Sequence, residues 1–373
     1  MINYLILLTS KNSKSFCYYN TPDNRNSKKD IIDFNLFKES ILFAIKNKCG
    51  LNLLYGDEPL PAKYENELKQ IEHIKIMPLK LKKYYKKGVY ILEDSDLELA
   101  KNIKKNNDLN LILRLKKENL GNLSEIFNLL LWRFKRLNLI FTDLYSFTDN
   151  DFKIYRKQLK IIREIVYKLY RNGNHIELNF LTDRLFLKNM NNCDAGLKHL
   201  TIAPNGKFYL CPGFYLDSKE NSIGDLISGY LIKNENLLHL KNALICSNCD
   251  AWHCKRCYYL NKKLTLEINT PSVEQCIVSH IERNETRLIS EQLKRKSKSY
   301  KNLIQIPEID YLDPFQILNV ETKLSPEEKC IIFSELLSKP LEKLSTRELL
   351  MHLYNLDKEI FIELKNRLSK TTD

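Results

Sequence analysis

Residues 246–257 read CSNCDAWHCKRC and place four cysteines in two pairs, the members of each pair separated by two residues. Two thiolates at this spacing bind one metal from a single tight turn. Three further cysteines, Cys193, Cys211 and Cys276, flank this stretch, so seven of the ten cysteines fall between residues 193 and 276. Because soft thiolate ligands select zinc or iron–sulfur clusters, the stretch predicts a metal-binding region.

The number of cysteines limits how many metal sites this region can complete. A structural zinc site takes four ligands. Seven cysteines exceed one site and are one short of two all-cysteine sites. The simplest arrangement is therefore one complete site and a second site with three cysteines and an open or foreign ligand. An open iron is functional, because a substrate or water can reach it. His199 and His253 lie near these cysteines in the sequence, and each is either an additional ligand or a packing residue.

Length and composition exclude several classes of protein. The 373 residues predict two or three domains, and a hydrophobic content of 43% excludes global disorder. No apolar run is long enough to span a membrane, and the first residues lack the basic start of a signal peptide. We therefore expect a cytoplasmic protein with no membrane partner. In that compartment the ten cysteines indicate metal binding or redox chemistry rather than disulfides.

The chain is basic, with 59 Lys and Arg against 46 Asp and Glu and a formal net charge of +13. Such a charge suits a nucleic-acid or anionic-membrane partner, and it also arises from lysines spread over the whole surface. The densest basic cluster, KRKSK at residues 294–298, is either a binding patch or a solvated helix end.

The first 185 residues alternate short apolar runs with amphipathic segments. Predicted strands are residues 4–8, 51–55, 73–77, 89–92, 109–115, 138–142 and 176–181. Predicted helices are residues 33–48, 64–71, 95–105, 123–136 and 151–171. This alternation predicts an α/β fold of parallel βαβ units, which form either a doubly wound sheet or a full or partial (β/α) barrel. In each case functional loops follow the carboxyl ends of the strands.

The rest of the chain divides into a cysteine-rich part and a helical end. From about residue 191 glycine and proline become more frequent, which predicts loops and hairpins held by metal. A helix is predicted over residues 282–293, and capping boxes at residues 325–328 and 345–348 predict two more. We therefore predict domains at residues 1–187, 188–290 and 291–373.

Single polar residues in the first domain have two readings each. Asp143, Asp183 and the pair Glu93 and Asp94 follow predicted strands, where they either line a functional rim or cap a helix. Cys17 lies in a loop beside two tyrosines and is either a reactive thiol or an incidental one.

Residues 193–282 resemble the SPASM domain, the twin-cluster auxiliary domain of radical SAM peptide-modifying enzymes. The resemblance is carried by the seven-cysteine order and by the segments CDAG (193–196), LTIAPNGKFYLCP (200–212) and SIGDL (222–226). Within the four-cysteine run the inner gaps are four and two residues, where the usual pattern has five and three.

This resemblance implies one or two [4Fe–4S] clusters, with zinc as the alternative metal. The ligands that it implies for one cluster are Cys246, Cys249, Cys254 and Cys276. The ligands that it implies for the other cluster are Cys193, Cys211 and Cys257, which leaves one iron open.

The first domain resembles a radical SAM partial barrel that has lost its own cluster. Radical SAM enzymes bind that cluster through CxxxCxxC after the first strand. Here Cys17 takes the first ligand position, and Thr21 and Asn24 take the other two. One thiolate does not hold a cluster that requires three, so the binding of S-adenosylmethionine is in doubt. The segment YGDEPL at residues 55–60 is similar to the motif that contacts the methionine group of S-adenosylmethionine, with Gly56 and Glu58 as matching residues.

The whole chain is most similar to CXXX repeat peptide maturases and pseudo-radical-SAM proteins. This similarity implies an iron–sulfur protein in the maturation of a ribosomally synthesised, Cys-containing peptide. It would act as a noncatalytic or auxiliary partner that binds the precursor peptide or an active radical SAM enzyme. A second mechanism is an enzyme whose open auxiliary cluster coordinates a substrate thiolate.

The alternative from another class is a zinc-binding, nucleic-acid-binding protein. The net charge, the basic cluster and the aromatic residues Trp252, Tyr258 and Tyr259 beside the cysteines favour it. The hairpin predicted between Cys193 and Cys211 has no role in such a protein, so we do not expect a nucleic-acid partner.

Overall fold

A computed structural model of the chain describes residues 2–20, 31–105, 109–296 and 300–314. Thr21, Asn24, Lys298 and the two helices predicted after residue 325 lie outside the described residues. Met1–Ile309 forms one unit and Asp310–Asp373 a second. The domain boundaries expected from the sequence stay predictions.

The first unit contains eleven strands and ten α-helices within the described residues. The strands are β1 (Tyr4–Leu8), β2 (Gly50–Leu54), β3 (His73–Pro78), β4 (Val89–Glu93), β5 (Leu109–Leu115), β6 (Phe134–Phe141), β7 (Glu177–Leu178), β8 (His199–Ile202), β9 (Lys207–Tyr209), β10 (Gly224–Asp225) and β11 (Gly229–Tyr230). The helices are α1 (Phe34–Lys46), α2 (Ala62–Glu67), α3 (Leu97–Lys101), α4 (Leu123–Leu130), α5 (Asp149–Arg171), α6 (Asp183–Phe186), α7 (Pro212–Asp217), α8 (Leu244–Ser247), α9 (Tyr258–Thr265) and α10 (Val273–Lys296). None of these helices has the length and apolar character needed to cross a membrane.

All eleven strands belong to one sheet of order β11-β10-β9-β8-β1-β2-β3-β4-β5-β6-β7. From β1 to β7 each strand pairs in parallel with the next one in the chain. The sheet is therefore wound in one direction, as in a (β/α) barrel, whereas the strand order of a doubly wound sheet reverses at a switch point. Strand β8 pairs in parallel with the free side of β1, and β9 to β11 extend the sheet antiparallel.

Local sequence explains most of these elements. Strand β1 buries four consecutive apolar residues, which is typical of a parallel strand covered on both faces. Helix α5 begins with a capping box in which the Thr148 side chain accepts from the backbone of Asp151, and the Asp151 side chain accepts from the backbone of Thr148. Helix α1 begins at the side chain of Asp33, which accepts from two backbone amides of the first turn.

Several predicted elements are shorter than the sequence indicated; the helix predicted over residues 95–105, for example, is only Leu97–Lys101. The helix predicted over residues 123–136 ends at Leu130, because Trp132 adopts a left-handed conformation with φ of 70° and the chain then enters β6. The strand predicted over residues 176–181 is only Glu177–Leu178, because the backbone amide of Thr182 turns back to the carbonyl of Leu178.

The inner face of the sheet is packed by side chains that come from the loop after β1 and from α7. Its core combines one or two buried residues from each of β1 to β6, including Ile6, Ile112 and Ile140. Phe16 and Tyr18 from the loop after β1 pack against this core, as do Tyr215 and its neighbours in α7. The space inside the curved sheet is therefore occupied by aromatic side chains of the chain itself.

Helices α5 and α10 are joined by a buried ion pair. The Arg163 guanidinium donates to the Glu285 carboxylate at 2.7 Å, and both side chains are less than a tenth exposed. One turn away, the Tyr155 hydroxyl donates to the Glu282 carboxylate at 2.6 Å. These contacts join α10, which carries Cys276, to α5, which lies between β6 and β7 in the chain.

We expect Arg163→Met to lower the free energy of unfolding by about 3 kcal/mol, because it leaves the Glu285 carboxylate buried without its partner. The double variant Arg163→Met/Glu285→Leu should recover most of that loss. Urea denaturation measures both. Lys101→Met, which removes an exposed ion pair with Glu98, is the control and should change stability by less than about 0.5 kcal/mol. A single variant no weaker than this control would contradict the prediction.

Candidate metal centre

The loop after β1 is held firmly at the carboxyl end of the sheet. The Ser13 hydroxyl donates to the Leu54 carbonyl at 2.7 Å, and the Lys14 amide donates to the Tyr55 carbonyl at 2.8 Å. Tyr19, only 3% exposed, packs edge-on against Tyr259 at the start of α9. The loop therefore bridges the sheet and the cysteine-rich region.

A buried arginine in β5 fixes the same loop from below. The Arg114 guanidinium donates to the carbonyls of Ser15 and Tyr19 at 3.2 and 2.9 Å. It also donates to the Glu93 carboxylate at 2.7 Å and to the Asn20 side chain at 3.0 Å. Because Arg114 is only 3% exposed, these partners offset the cost of burying its charge.

The fixed loop brings Cys17 to three cysteines of the cysteine-rich region. The Cys17 and Cys257 side chains are hydrogen-bonded to each other, which lowers the pKa of Cys17 and raises that of Cys257. Each of the four thiols at Cys17, Cys193, Cys211 and Cys257 interacts electrostatically with the other three. The resemblance to the SPASM domain grouped Cys193, Cys211 and Cys257. Cys17 matched the first ligand position of the cluster motif in the first domain.

Backbone groups lie close to two of these sulfurs. The Ala195 backbone lies near the Cys193 sulfur and the Gly213 backbone near the Cys211 sulfur, and the Phe214 amide donates to the Cys211 carbonyl at 3.2 Å. Burial raises the pKa of Cys193 to about 12 and raises that of Cys211 well above its usual value. A bound cation reverses such a preference, because it deprotonates a coordinating thiol outright.

A second group of thiols forms where α8 meets the loop that follows it. Cys246, Cys249 and Cys254 interact electrostatically with one another, and burial raises the pKa of Cys246 and Cys249 to about 12. Cys276 is buried on α10, and its neighbour Gln275 donates an amide hydrogen to the Cys254 sulfur at 3.6 Å. The structure thus separates the cysteines into two groups. Whether they are metal ligands, as expected from the sequence, stays a prediction.

The loop between Cys249 and Cys254 is shaped by two buried arginines. The Arg283 guanidinium binds both carboxylate oxygens of Asp250, at 2.9 and 2.6 Å. The Arg184 side chain donates to the Asp250 carbonyl at 2.6 Å and stacks on Trp252 at 3.9 Å from the ring centroid. A bidentate pair of this kind fixes orientation as well as position.

A third buried arginine anchors the end of the cysteine run. Arg256, completely buried, donates to the side chains of Asn192 and Asn269 and to the Leu238 carbonyl. Its guanidinium also donates to the Tyr258 hydroxyl at 2.8 Å. The sequence carries no signal for these three arginines, because their partners lie far away in the chain.

His199 and His253 contact oxygen atoms, which agrees with the packing role considered from the sequence. The His199 ring contacts the Cys193 carbonyl at 3.0 Å and stacks on Tyr4, and the His253 ring contacts the Glu282 carboxylate at 3.0 Å. The residue beside a cysteine sulfur is His280, whose Nε2 lies 3.3 Å from the Cys249 Sγ. Burial lowers the pKa of His280 to about 4, so its ring is neutral near pH 7.

The thiols are not arranged for a single metal ion. In the part of the chain that the structure describes, no three His, Cys, Asp or Glu side chains converge closely enough to hold one ion. Zn–S bonds of ~2.3 Å would bring the sulfurs of one zinc site to ~3.8 Å from one another. In a [4Fe–4S] cluster each thiolate binds a different iron, so its sulfurs stay farther apart. Neighbouring thiols with amides aimed at their sulfurs fit this larger group.

The segment similar to the S-adenosylmethionine motif is tied to its surroundings. A Cβ at Gly56 would lie 2.6 Å from the Ser10 Oγ, so the close approach of two loops requires glycine there. The Asp57 carboxylate pairs with Lys14 and Lys80 at 3.1 and 2.7 Å. Glu58 is exposed. The role of Gly56 and Glu58 as a remnant of a cofactor loop stays a prediction.

Acidic residues at the strand ends support loops. Asp94 accepts from the Lys116 amide at 2.9 Å, and Asp143 accepts from the Lys117 amide at 3.1 Å. Asp183 binds Arg136 through both carboxylate oxygens, and Glu93 pairs with Arg114. None of these contacts is the helix cap considered from the sequence; the carboxylates instead bind loop amides and arginines.

The features that favoured a nucleic-acid partner have structural explanations. Tyr258 and Tyr259 are buried, and the Trp252 ring is covered by Arg184. Residues 294–296 form the last turn of α10, where cations stabilise the helix dipole. These residues therefore give no support to a nucleic-acid interface.

No family model and no curated protein matches the chain. Solved structures are similar to it in fold. Tagged anSMEcpe with bound AdoMet is 14% identical and has a TM-score of 0.52 over 80% of this chain and 97% of that one. Native anSMEcpe with bound AdoMet and Cp18Cys peptide is 16% identical and has a TM-score of 0.50 over 81% of this chain and 99% of that one. The chain therefore shares the fold of these anSMEcpe structures.

Asp94→Asn should stabilise the protein at neutral pH but not at pH 4. Burial raises the folded-state pKa of Asp94 from its ordinary value of 3.8 to about 6. The contribution of Asp94 to the free energy of unfolding is thus fully present below pH 4 and is lost as the pH rises through 6. We expect a gain of about 1 kcal/mol at pH 7 after allowance for solvent screening.

Urea denaturation at pH 4 and pH 7 measures this difference. Asp149→Asn replaces an exposed carboxylate and serves as the control. A gain that is the same at both pH values would mean that ionisation of Asp94 is not its source.

Proposed function

We propose that the chain is an iron–sulfur protein in the maturation of a ribosomally synthesised, Cys-containing peptide. It acts as a noncatalytic or auxiliary partner, because it lacks the cluster that cleaves S-adenosylmethionine. Its clusters stabilise the fold or relay electrons, and its sheet binds the precursor peptide or an active radical SAM enzyme.

The observation that carries this proposal is the position of Cys17. In a radical SAM enzyme the loop after the first strand holds three thiolates of its own. Here the loop has one thiol, which is hydrogen-bonded to Cys257 of the cysteine-rich region, and the other two positions are Thr21 and Asn24. A single thiolate committed to another group leaves no donor set for a cluster in the sheet.

The interior of the sheet also supports a noncatalytic role. Phe16 and Tyr18 of the loop after β1, the loop that carries the cluster motif in a radical SAM enzyme, pack against the apolar core of the sheet. A cavity of about 50 Å³ lies beside Cys17, Tyr18 and Glu282. Pockets for ligands of moderate size enclose roughly 300–1,000 Å³, so this cavity admits a few waters but not S-adenosylmethionine.

Two groups of buried thiols support iron–sulfur clusters as the bound metals. In the second group the Ala251 amide donates to the Cys249 sulfur at 3.4 Å and the Gln275 side chain donates to the Cys254 sulfur at 3.6 Å, so this group has the donors that usually surround cluster sulfurs. Bound clusters would supply electron transfer at the end of the sheet. A peptide partner is supported by the fold shared with anSMEcpe, of which a structure holds a bound peptide.

Anaerobically purified full-length protein should be brown and absorb near ~400 nm, with about eight irons per chain. With dithionite and S-adenosylmethionine it should release no 5′-deoxyadenosine, because its sheet has no thiolates for a third cluster. Iron analysis, optical spectroscopy and chromatography of the nucleoside test this expectation.

The controls separate the parts of the proposal. An active radical SAM enzyme treated in parallel shows that reduction succeeded. Sustained formation of 5′-deoxyadenosine would overturn the noncatalytic role. A colourless protein that holds zinc alone would overturn the iron–sulfur assignment. A short Cys-repeat peptide encoded beside the gene supplies the precursor for a binding assay.

A further inference from the structure

We propose that Cys17 is the fourth ligand of the metal site that contains Cys193, Cys211 and Cys257, and that it closes this site. The inference rests on the proposed iron–sulfur function and specifies one of its two sites. It replaces the open iron expected from the sequence with a ligand from the loop after β1.

The arrangement of the four thiols is the first argument. Cys17 is hydrogen-bonded to Cys257 and also interacts with Cys193 and Cys211. It therefore lies beside the other three thiols.

The loop that carries Cys17 is held in this place by contacts that do not involve the thiol. Arg114 binds the carbonyls on both sides of it, at Ser15 and Tyr19. The Tyr19 ring contacts Tyr259, two residues beyond Cys257. A position supported from both sides is what a metal ligand requires, because supporting contacts orient the donor before the metal binds.

The number of cysteines agrees with two closed sites. With Cys17 added, one group has four cysteines, and the other is Cys246, Cys249, Cys254 and Cys276. The remaining cysteine of the described residues, Cys49, hydrogen-bonds to the Ile2 carbonyl and belongs to neither group. Residues 193–276 are one cysteine short of two four-cysteine sites, and Cys17, near the start of the chain, supplies the missing ligand.

A closed site changes what the protein can do. Without an open iron, neither cluster coordinates a substrate thiolate, so the mechanism in which an auxiliary cluster activates the peptide does not apply. The loop after β1 instead supplies Cys17 as a ligand that links the sheet to the cysteine-rich region.

Cys17→Ala and the matched control Cys49→Ala test the assignment in full-length protein purified without oxygen. Removing Cys17 should open one iron, which is then easily lost. After mild ferricyanide oxidation we expect Cys17→Ala to show the EPR signal of a [3Fe–4S] cluster and to lose about one iron in eight. Wild type and Cys49→Ala should keep all their iron and show no such signal.

Wild-type protein gives a second measurement that does not depend on the folding of a variant. The EPR spectrum of its reduced clusters should stay unchanged when imidazole is added, because every iron already has a thiolate. A spectrum that shifts with imidazole would overturn the closed site.

The outcomes separate this inference from the proposed function. Wild type that contains clusters, together with a Cys17→Ala variant identical to Cys49→Ala, overturns only the role of Cys17. Wild type that binds no iron overturns the proposed function itself.

Discussion

The contact between the loop after β1 and the cysteine-rich region is the constraint on which the rest of the structure depends. Arg114 fixes the loop to the sheet. The same loop places Cys17 beside Cys257 and Tyr19 against Tyr259. A buried guanidinium needs acceptors on every side, and the carbonyls of this loop supply them. The loop is therefore held because the arginine beneath it is buried.

Charge pairing shapes the second group of cysteines in a similar way. Asp250 lies between two cysteines and is bound by Arg283 and Arg184, which come from separate helices. Removing Asp250 would leave the buried guanidiniums of Arg184 and Arg283 without their carboxylate, which favours this arrangement of the loop. Cysteines held in place by such pairs need less rearrangement when a metal binds. Because the pairs form only in the folded chain, metal binding is coupled to folding.

In our proposal, packing of the loop after β1 against the sheet explains how the fold persists without a cluster there. An empty inner face would expose apolar residues such as Ile6 and Ile112 to water, and Phe16 and Tyr18 cover them. The same loop thus provides core packing and holds a thiol. In our proposal it has exchanged the binding of a cofactor for the support of an auxiliary site.

Alternating apolar and amphipathic segments were sufficient to predict the parallel α/β sheet, because each strand and helix follows from its own neighbours in the chain. The spacing of Cys246, Cys249, Cys254 and Cys257 likewise identified a cysteine-rich region. The one-directional winding of the sheet, the partners of the buried arginines and the position of Cys17 beside Cys257 were not predictable in this way. Each depends on residues distant in the chain that meet only when their charges and apolar surfaces are buried together, and no local pattern records which of them will meet.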